Sequence, residues 1–241
     1  MPVPPPRPLP ENIGLTFVGE RIPAAARLTP AVAKKLRAAR NPNGRPNSDV
    51  VRRFVTCRQG KATEHWLVDF PPGMDPGERA LYAQPHRHTG RNQAANRDLR
   101  NALARRERYL AMPVTGTPDQ FDWIDSALLP DDTLLVVARD DDFAHGVLSA
   151  RPFAVWWREF HARGEPRRVL DSFPWPWPPA TLLSSLTRAQ EEHWLAIARA
   201  ARAGDPERID STMAAAYGWP ADLPDGEILA RLGDLNRARA G

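Results

Sequence analysis

The chain has 241 residues, of which 42% are hydrophobic and 26% are charged, and its formal net charge is +4 at neutral pH. This length is sufficient for one ordinary core with a small appended domain. The sequence has no apolar run of membrane-spanning length, and its proline-rich N-terminus lacks the charged and apolar blocks of a signal peptide. The single cysteine, Cys57, excludes an internal disulfide and a cysteine-based zinc site. We therefore expect a protein of the bacterial cytoplasm that does not associate with membranes.

The basic residues are almost all arginines, since only Lys34, Lys35 and Lys61 are lysines among 33. Arginine is suited to bidentate pairing with a phosphate or with a guanine edge. A GC-rich coding bias would also raise the arginine content, so local clustering is the better criterion. Residues 87–108 satisfy it, because seven arginines there are opposed only by Asp98 and Glu107. This segment is predicted to bind phosphate groups of a nucleic acid.

The first half of the chain predicts an arm, one helix and short strands. Five prolines in the first eight positions favour an extended arm over residues 1–12. Thr29 followed by Pro30 is typical of a helix start, and the sequence Asn-Pro-Asn-Gly at 41–44 is expected to end that helix. Short apolar runs at 65–70 and 133–138, with a weaker one at 145–149, predict the strands of a small mixed sheet.

Two further helices are predicted around these strands. Over residues 96–110, Leu99, Leu103 and Leu110 share one face and several arginines share the opposite face. A second helix begins at Pro152 and carries aromatic residues at the spacing i, i+3, i+4, i+7. We expect this stripe to belong to the core rather than to a base-stacking platform. Its members are Phe153, Trp156, Trp157 and Phe160.

The last third of the chain predicts a helical appendage. Prolines and aromatic residues over 173–179 are typical of a stiff hinge, so a domain boundary is placed near residue 179. Beyond it, Thr187 with Gln190 forms a capping box, Asp205 and Pro206 start another helix, and Gly218 can end it. The predicted fold is therefore α+β: a small mixed sheet with packed helices over residues 1–179, followed by a small helical domain over 180–241.

Several catalytic interpretations lack a required residue. A restriction-type nuclease needs two acidic residues and a lysine around Mg²⁺. Asp131 and Asp140 could be the acidic pair, but the sequence has no lysine after Lys61 to serve as the third residue of the site. His86 and His88 could lie on one side of an extended segment, but a zinc site needs a third ligand. No glycine-rich nucleotide cradle is present. The tetrapeptide at 41–44 lacks the aromatic residue with which methyltransferases stack a flipped adenine. The chain is therefore predicted to contain no catalytic centre and no metal site.

An ordered set of short strings resembles a known family. The strings cover nearly the whole chain, and the set is specific although each string alone is weak. In chain order they are LPENIGLTFVG (9–19), NPNGRPNSDVV (41–51), WLVDF (66–70), RY (108–109), ARDDD (138–142), GVLS (146–149), FPWP (173–176), AYGWPADL (216–223), ILARL (228–232) and LN (235–236). Together they resemble the target-recognition domain and C-terminal domain of the MmeI-like (type IIL) adenine DNA methyltransferases and restriction-modification enzymes.

The resemblance implies a module that chooses the DNA site in a restriction-modification or phage-defence system. In that family a longer polypeptide carries the methyltransferase domain, which binds S-adenosylmethionine, and often a nuclease domain. This chain is expected to bind no cofactor itself. The methyltransferase domain would be supplied by a separate subunit, or the gene is a truncated or repurposed relative. The partner implied is double-stranded DNA.

The resemblance also implies which side chains read bases, namely those after the Arg-Tyr motif and those before the Phe-Pro-Trp-Pro motif. A glutamate can accept from cytosine and an arginine can donate two hydrogen bonds to guanine. The alternative is that these are ordinary charges on surface loops. The predicted base readers are Thr115, Thr117, Asp119, Glu165, Arg167 and Arg168, and the predicted phosphate-binding arginines are Arg91, Arg97, Arg100, Arg105 and Arg108.

Two departures from the family pattern leave the mode of DNA binding open. The family has a tryptophan pair before its Arg-Tyr motif, whereas this chain runs from Pro85 to Tyr109 without a tryptophan. The loop over residues 164–172 is also shorter. The chain therefore either reads a defined sequence or holds DNA through phosphates alone. A second hypothesis is a non-catalytic scaffold subunit that retains the fold and docks a methyltransferase through its arm and helical tail.

Overall fold

A computed structural model describes residues 4–58, 61–89 and 96–240 of the chain. The fold is α+β, as the sequence predicts. The strands are β1 (Thr16–Val18), β2 (Arg27–Leu28), β3 (Val51–Arg58), β4 (Lys61–Val68), β5 (Arg108–Pro113), β6 (Asp122–Asp125), β7 (Leu129–Pro130) and β8 (Leu134–Val137). The α-helices are α1 (Pro30–Ala38), α2 (Pro76–Ala80), α3 (Ala83–Thr89), α4 (Arg97–Leu103), α5 (Asp142–Ser149), α6 (Arg151–Phe160), α7 (Pro166–Ser172), α8 (Arg188–Ala203), α9 (Pro206–Tyr217) and α10 (Asp225–Arg239).

The strands form two four-stranded sheets rather than one. The first sheet has the order β1-β8-β5-β6 and its pairs are all antiparallel. The second has the order β2-β4-β3-β7 and is mixed, because β3 and β7 pair in parallel. The predicted strands at 65–70 and 133–138 correspond to β4 and β8. The predicted helix from Pro30 is α1, in which the Thr29 hydroxyl accepts from the Val32 amide.

The helix predicted over residues 96–110 is wrong beyond Leu103. There α4 ends, and Arg108 begins the central strand β5. Tyr109, Leu110 and Met112 are all fully buried, so successive residues of β5 bury both faces of the strand. A strand covered on both faces lacks the alternation of apolar and polar residues that marks a half-exposed strand. The leucine spacing over 99–110 therefore indicated a helix longer than α4.

The strand predicted at 145–149 is also wrong, because this segment belongs to α5. The Asp141 carboxylate accepts from the Ala144 amide and caps the helix. Gly146 then lets α5 approach α8 closely. A β-carbon at this position would lie 2.6 Å from Ile197 Cγ2 and 3.2 Å from the Ile197 carbonyl oxygen. The short apolar run thus reflects a buried helix, which periodicity alone does not distinguish from a buried strand.

The aromatic stripe of α6 lies in the core, as predicted. Trp156 and Phe153 are fully buried, and the Trp156 indole nitrogen donates to the Val169 carbonyl at 3.3 Å. Phe121 and Phe173 pack against Phe153 from either side, with ring centroids 6.1 and 5.0 Å away. Helix α6 therefore forms the centre of the largest apolar cluster of the molecule.

The C-terminal helices have the caps that the sequence predicts. Thr187 and Gln190 form the capping box of α8, Asp205 caps α9, and Gly218 ends α9 with a φ of 70°. Ile197 of α8 and Leu232 of α10 belong to the same apolar cluster as α6. The boundary near residue 179 remains a prediction, and this cluster contains residues from both sides of it.

The proline-rich arm packs on the chain itself. Leu9 is fully buried and its amide donates to the Asp171 carbonyl at 2.8 Å. The Asn236 side chain on α10 accepts from the Arg7 amide and donates to the Arg7 carbonyl. Residues Pro10–Asn12 form a 3₁₀ turn rather than an extended segment. The arm therefore connects α7 with α10. No helix in the described part of the chain is long and apolar enough to cross a membrane.

Substituting Gly146→Ala should destabilise the protein by about 1–2 kcal/mol. Because the new methyl group would lie 2.6 Å from Ile197 Cγ2, its cost should fall in the upper part of the usual range, about 2–3 kcal/mol, and the helix-propensity gain of about 1 kcal/mol offsets only part of it. The matched control is Gly226→Ala on α10, where the new methyl group has no heavy atom within 4 Å apart from its own helix backbone and chain neighbours. That change should leave stability equal or slightly higher. Urea unfolding measures both, and a Gly146→Ala protein as stable as the parent would contradict the close packing of α5 on α8.

Candidate nucleic-acid interface

The predicted phosphate-binding arginines fall into two groups in the structure. Arg97, at the first residue of α4, and Arg105, just after the helix, are exposed. Within the described part of the chain neither has an ion-pair partner. Arg91 lies outside the described residues. Arg100 and Arg108, in contrast, are engaged by carboxylates of this chain. The basic segment therefore contributes fewer free cations than its composition indicates.

Arg100 forms a buried ion pair with two carboxylates. Its Nε and Nη2 donate to the Glu20 carboxylate at 2.6 and 2.7 Å, and its Nη1 and Nη2 donate to Asp69 at 2.8 and 2.9 Å. The three side chains are only 10%, 5% and 0% exposed. Burial alone would lower the pKa of the Arg100 guanidinium, but the hydrogen bonds and charges of Glu20 and Asp69 raise it above its ordinary value. The whole guanidinium is thus occupied inside the protein.

Arg108 lies against an aromatic ring and an acidic residue. Its guanidinium is 3.7 Å from the Trp123 ring centroid, and Nη2 donates to the Asp142 carboxylate at 2.9 Å. Arg202 of α8 donates to the same carboxylate at 2.7 Å. Burial would raise the pKa of Asp142, but the hydrogen bonds from Arg202 and Arg108 lower it. Beyond Trp123 lies His145, whose pKa is lowered by burial. This cluster ties β5 and β6 to α5 and α8.

A cleft of about 430 Å³ opens between α4 and the second sheet. Arg97 and Asn101 line it from α4, Arg52 lines it from β3, and the Pro71 to Gly73 turn closes one side. Arg52 donates to Asp69 at 3.3 Å and is one-third exposed. Guanidinium and amide groups predominate among the polar groups of this wall. The cleft is therefore suited to a ligand that accepts hydrogen bonds, such as a phosphate.

The β3–β4 hairpin connects this cleft with the predicted loop of base readers. Arg52, at the base of the hairpin, lines the first cleft. Cys57 and Ala62, near its far end, line a second cavity of about 270 Å³ together with Asp119. Strand β3 has eight residues, so this flank of the molecule is roughly 26 Å long. We refer to the α4 segment 97–105, the β3–β4 hairpin and the loop 115–119 together as the basic flank.

The loop after β5 is held by its own side chains. The Gln120 side chain accepts from the Thr117 amide at 3.2 Å, and the Thr117 hydroxyl donates to the Asp119 carboxylate. Thr115, Thr117 and Asp119 are all exposed. The three predicted readers of this loop are therefore presented to solvent on a turn that is anchored by the Phe121 ring against α6. Their contact with DNA remains a prediction.

The other three predicted readers lie elsewhere. Glu165 and Arg168 line a cavity of about 180 Å³ with Pro5 and Pro6 of the arm. Helix α7 packs against β1, which is the edge of the first sheet opposite to β6. Arg167 pairs with Asp171 at 3.4 Å, whereas Arg168 is 77% exposed and 3.7 Å from Glu165. The structure thus places one group of predicted readers in the loop between β5 and β6 and the other at the start of α7, next to β1.

The structure assigns structural roles to most of the groups weighed for catalysis. His86 and His88 lie on helix α3 rather than on an extended segment, so residues two apart point in different directions. Asp141 caps α5, and Asp142 pairs with two arginines. Asp131 is fully buried and accepts from the Thr133 amide at 3.0 Å. Among residues 4–58, 61–89 and 96–240, no three histidine, cysteine, aspartate or glutamate side chains are placed to hold a metal ion.

Two basic residues of the basic flank were missed by sequence analysis. Arg58 and Lys61 face each other as the last described pair of the β3–β4 hairpin, and both are exposed. They flank a Gln-Gly dipeptide in the sequence. The available signal was a basic residue on either side of this glycine-containing dipeptide, between two segments rich in residues that favour strands.

Comparison with known proteins yields a likeness in structure only. Neither protein-family profiles nor curated proteins match the sequence. Among solved structures, the fold is similar to a chain from the structure of the type IIL restriction-modification enzyme MmeI in complex with DNA. The TM-score is 0.57 with 18% identical residues, and the match covers 93% of this chain. It covers 35% of that chain, so this chain spans about a third of the length of the enzyme it resembles. The two proteins share a fold.

Substituting Arg100→Met should cost about 3–5 kcal/mol of folding free energy, because it leaves Glu20 and Asp69 buried without a cation. The exposed Arg97→Met is the matched control and should change stability by less than about 0.5 kcal/mol. Chemical unfolding monitored by tryptophan fluorescence measures both variants. A loss below about 1 kcal/mol for Arg100→Met would contradict the buried ion pair.

Proposed function

We propose that this chain is the DNA-binding target-recognition module of a site-specific DNA adenine methyltransferase of the restriction-modification or phage-defence type. The observation that carries the proposal is the likeness of its fold, over 93% of its length, to an enzyme whose structure was solved with DNA. Methyl transfer would belong to a catalytic domain outside these 241 residues, and S-adenosylmethionine would bind there. This chain would choose where on the duplex that domain acts.

The phosphate contacts are assigned to the exposed arginines of the basic flank. Arg97 and Arg105 are exposed and have no ion-pair partner in the described part of the chain, and Arg97 lines the cleft between α4 and the second sheet. Arg100 is excluded from this role, because its three guanidinium nitrogens all donate to the carboxylates of Glu20 and Asp69. Arg108 contributes mainly by holding Trp123 and Asp142 in place. Each free arginine that neutralises a phosphate releases a counterion and makes binding depend on salt.

Base reading is assigned to two separate segments. Thr117 and Asp119 lie in the loop that joins β5 to β6, and Glu165 and Arg168 lie at the start of α7, which packs against β1. Two to three strand spacings, roughly 9–14 Å, separate β5 and β6 from β1. A duplex has a major groove about 12 Å wide, so segments this far apart would meet bases at different positions of one site. The proposed module therefore reads a site longer than one or two base pairs.

Duplex DNA should bind with an affinity that falls steeply with salt, and the double substitution Arg97→Ala with Arg105→Ala should weaken binding to all sequences alike. Losing two phosphate contacts lowers the slope of log affinity against log salt by about two. Fluorescence anisotropy between about 50 and about 200 mM salt measures this slope. The control is Arg199→Ala with Arg208→Ala, which removes two exposed cations from the C-terminal helices.

No binding by the unmodified chain at low salt would overturn the proposed function and would favour the scaffold hypothesis. An equal loss in both double variants would contradict the assignment of the phosphate contacts to the α4 segment.

Substituting Glu165→Gln with Arg168→Gln should change which sequences the chain prefers. A correct pair between a side chain and a base edge contributes about 1–3 kcal/mol of discrimination. Selection of bound duplexes from a randomised library, followed by sequencing, compares the variant with the parent. An unchanged selected motif would contradict the role of α7 as a reader, and a parent that selects no motif would indicate binding through phosphates alone.

A further inference from the structure

The β3–β4 hairpin has a free outer edge over its far half. The two strands pair in register from Val51 with Val68 to Arg58 with Lys61. On the outer side of β4, strand β2 covers only Trp66 and Leu67. Residues 61–65 are therefore exposed, and in the described part of the chain no strand pairs with their outer edge. We call the paired residues 54–58 and 61–65 the ribbon; its β4 edge is free, whereas Val55, Thr56 and Cys57 of β3 are buried.

One face of this ribbon carries polar side chains. Cross-strand pairs share a face, so Arg58 and Lys61 lie with Thr63 and His65 on one side. Arg58 and Lys61 have no ion-pair partner among the described residues, and all four side chains belong to exposed residues. His65 is oriented by its ring nitrogen Nε2, 3.3 Å from the Thr56 hydroxyl. This face offers hydrogen-bond donors and a net positive charge.

The opposite face of the ribbon is partly covered by the protein. Cys57 lines the cavity beside Asp119 and Val55 belongs to a core cluster, whereas Ala62 and Glu64 on this face are exposed. On the polar face, Phe54 and Thr56 are buried nearer the base of the ribbon, so this face is open at its outer end. The outer end carries Arg58, Lys61 and Thr63 and no large apolar side chain among the described residues, so its chemistry favours a charged and polar ligand over an apolar protein surface.

We infer that the outer end of the ribbon, with Arg58 of β3 and the exposed residues 61–65 of β4, enters the major groove of duplex DNA, with Arg58 and Lys61 directed at the bases or the groove-lining phosphates. The inference rests on the proposed function and adds to it the element and the groove. A two-stranded ribbon fits a groove about 12 Å wide and about 8.5 Å deep, since its strands are about 4.8 Å apart. Arginine and lysine suit the guanine O6 and N7 acceptors that line that groove.

The position of the hairpin supports this docking. Arg97 shares the first cleft with Arg52 at the base of the hairpin, and Asp119 shares the second cavity with Cys57 and Ala62 near its far end. With the hairpin in the groove, the α4 arginines would meet the flanking phosphates while the loop lies beside the adjacent bases. The free edge of β4 would then be covered by DNA. An exposed edge is otherwise a site for pairing with other chains, and Lys61 makes such pairing unfavourable.

Photo-crosslinking to a duplex in which 5-iododeoxyuridine replaces thymidine tests the inference, because the iodine atom projects into the major groove. The cross-linked peptide is identified by mass spectrometry, and netropsin, a minor-groove ligand, is added as a competitor. The variants are Arg58→Gln with Lys61→Gln, and each change alone. The control is Arg199→Gln with Arg208→Gln, which removes an equal number of positive charges from α8 and α9. Circular dichroism verifies that each variant is folded.

We expect cross-links within residues 52–68 that persist with netropsin. The hairpin double variant should lose about tenfold in affinity and most of its cross-linking, because it loses at least one good base contact. The control should retain both. If the parent binds DNA but cross-links only elsewhere, or if the hairpin and control variants bind alike, the hairpin assignment is overturned and the proposed function stands. If the parent binds no DNA, both are overturned.

Discussion

The buried ion pair of Arg100 with Glu20 and Asp69 is the contact on which the proposed interface depends. Glu20 follows β1 of the first sheet, Asp69 follows β4 of the second, and Arg100 is the fourth residue of α4. A single guanidinium therefore joins both sheets to one helix with four hydrogen bonds of 2.6–2.9 Å. Because a planar guanidinium fixes the direction of its bonds, it orients α4, so that Arg97 lines the cleft and both Arg97 and Arg105 are exposed.

The same arrangement shows why arginine content alone overstates the binding surface. Arg100 and Arg108, two of the five arginines assigned to phosphate from the sequence, are engaged by carboxylates inside the chain. Buried or half-buried cations of this kind stabilise the fold and are not available to a ligand. Within the basic flank, the exposed cations without an ion-pair partner among the described residues lie at the ends of α4 and at the far end of the β3–β4 hairpin. The basic flank is thus smaller than the basic segment of the sequence, and it includes residues far from that segment.

Local sequence rules predicted the elements whose signals are local. The caps at Thr187, Asp205 and Gly218 and the aromatic stripe of α6 needed only short-range chemistry and were found. Strand β5 and helix α5 were misassigned because both are buried on more than one side, which removes the periodicity that separates helix from strand. The candidate site was predicted only in part. Arg58 was missed because its role depends on the pairing of two strands, and Arg100 was misjudged because its partners lie 80 and 31 residues away.

Hydrogen exchange of the chain with and without a short DNA duplex reports which backbone amides the duplex covers, and so locates the DNA-binding surface. We expect slower exchange at the free edge over residues 61–65, in the α4 segment 97–105 and in the loop 115–119. We expect no change in α8, α9 and α10. Protection confined to the C-terminal helices, or no protection at a DNA concentration that saturates binding, would contradict the assignment of the basic flank as the DNA-binding surface.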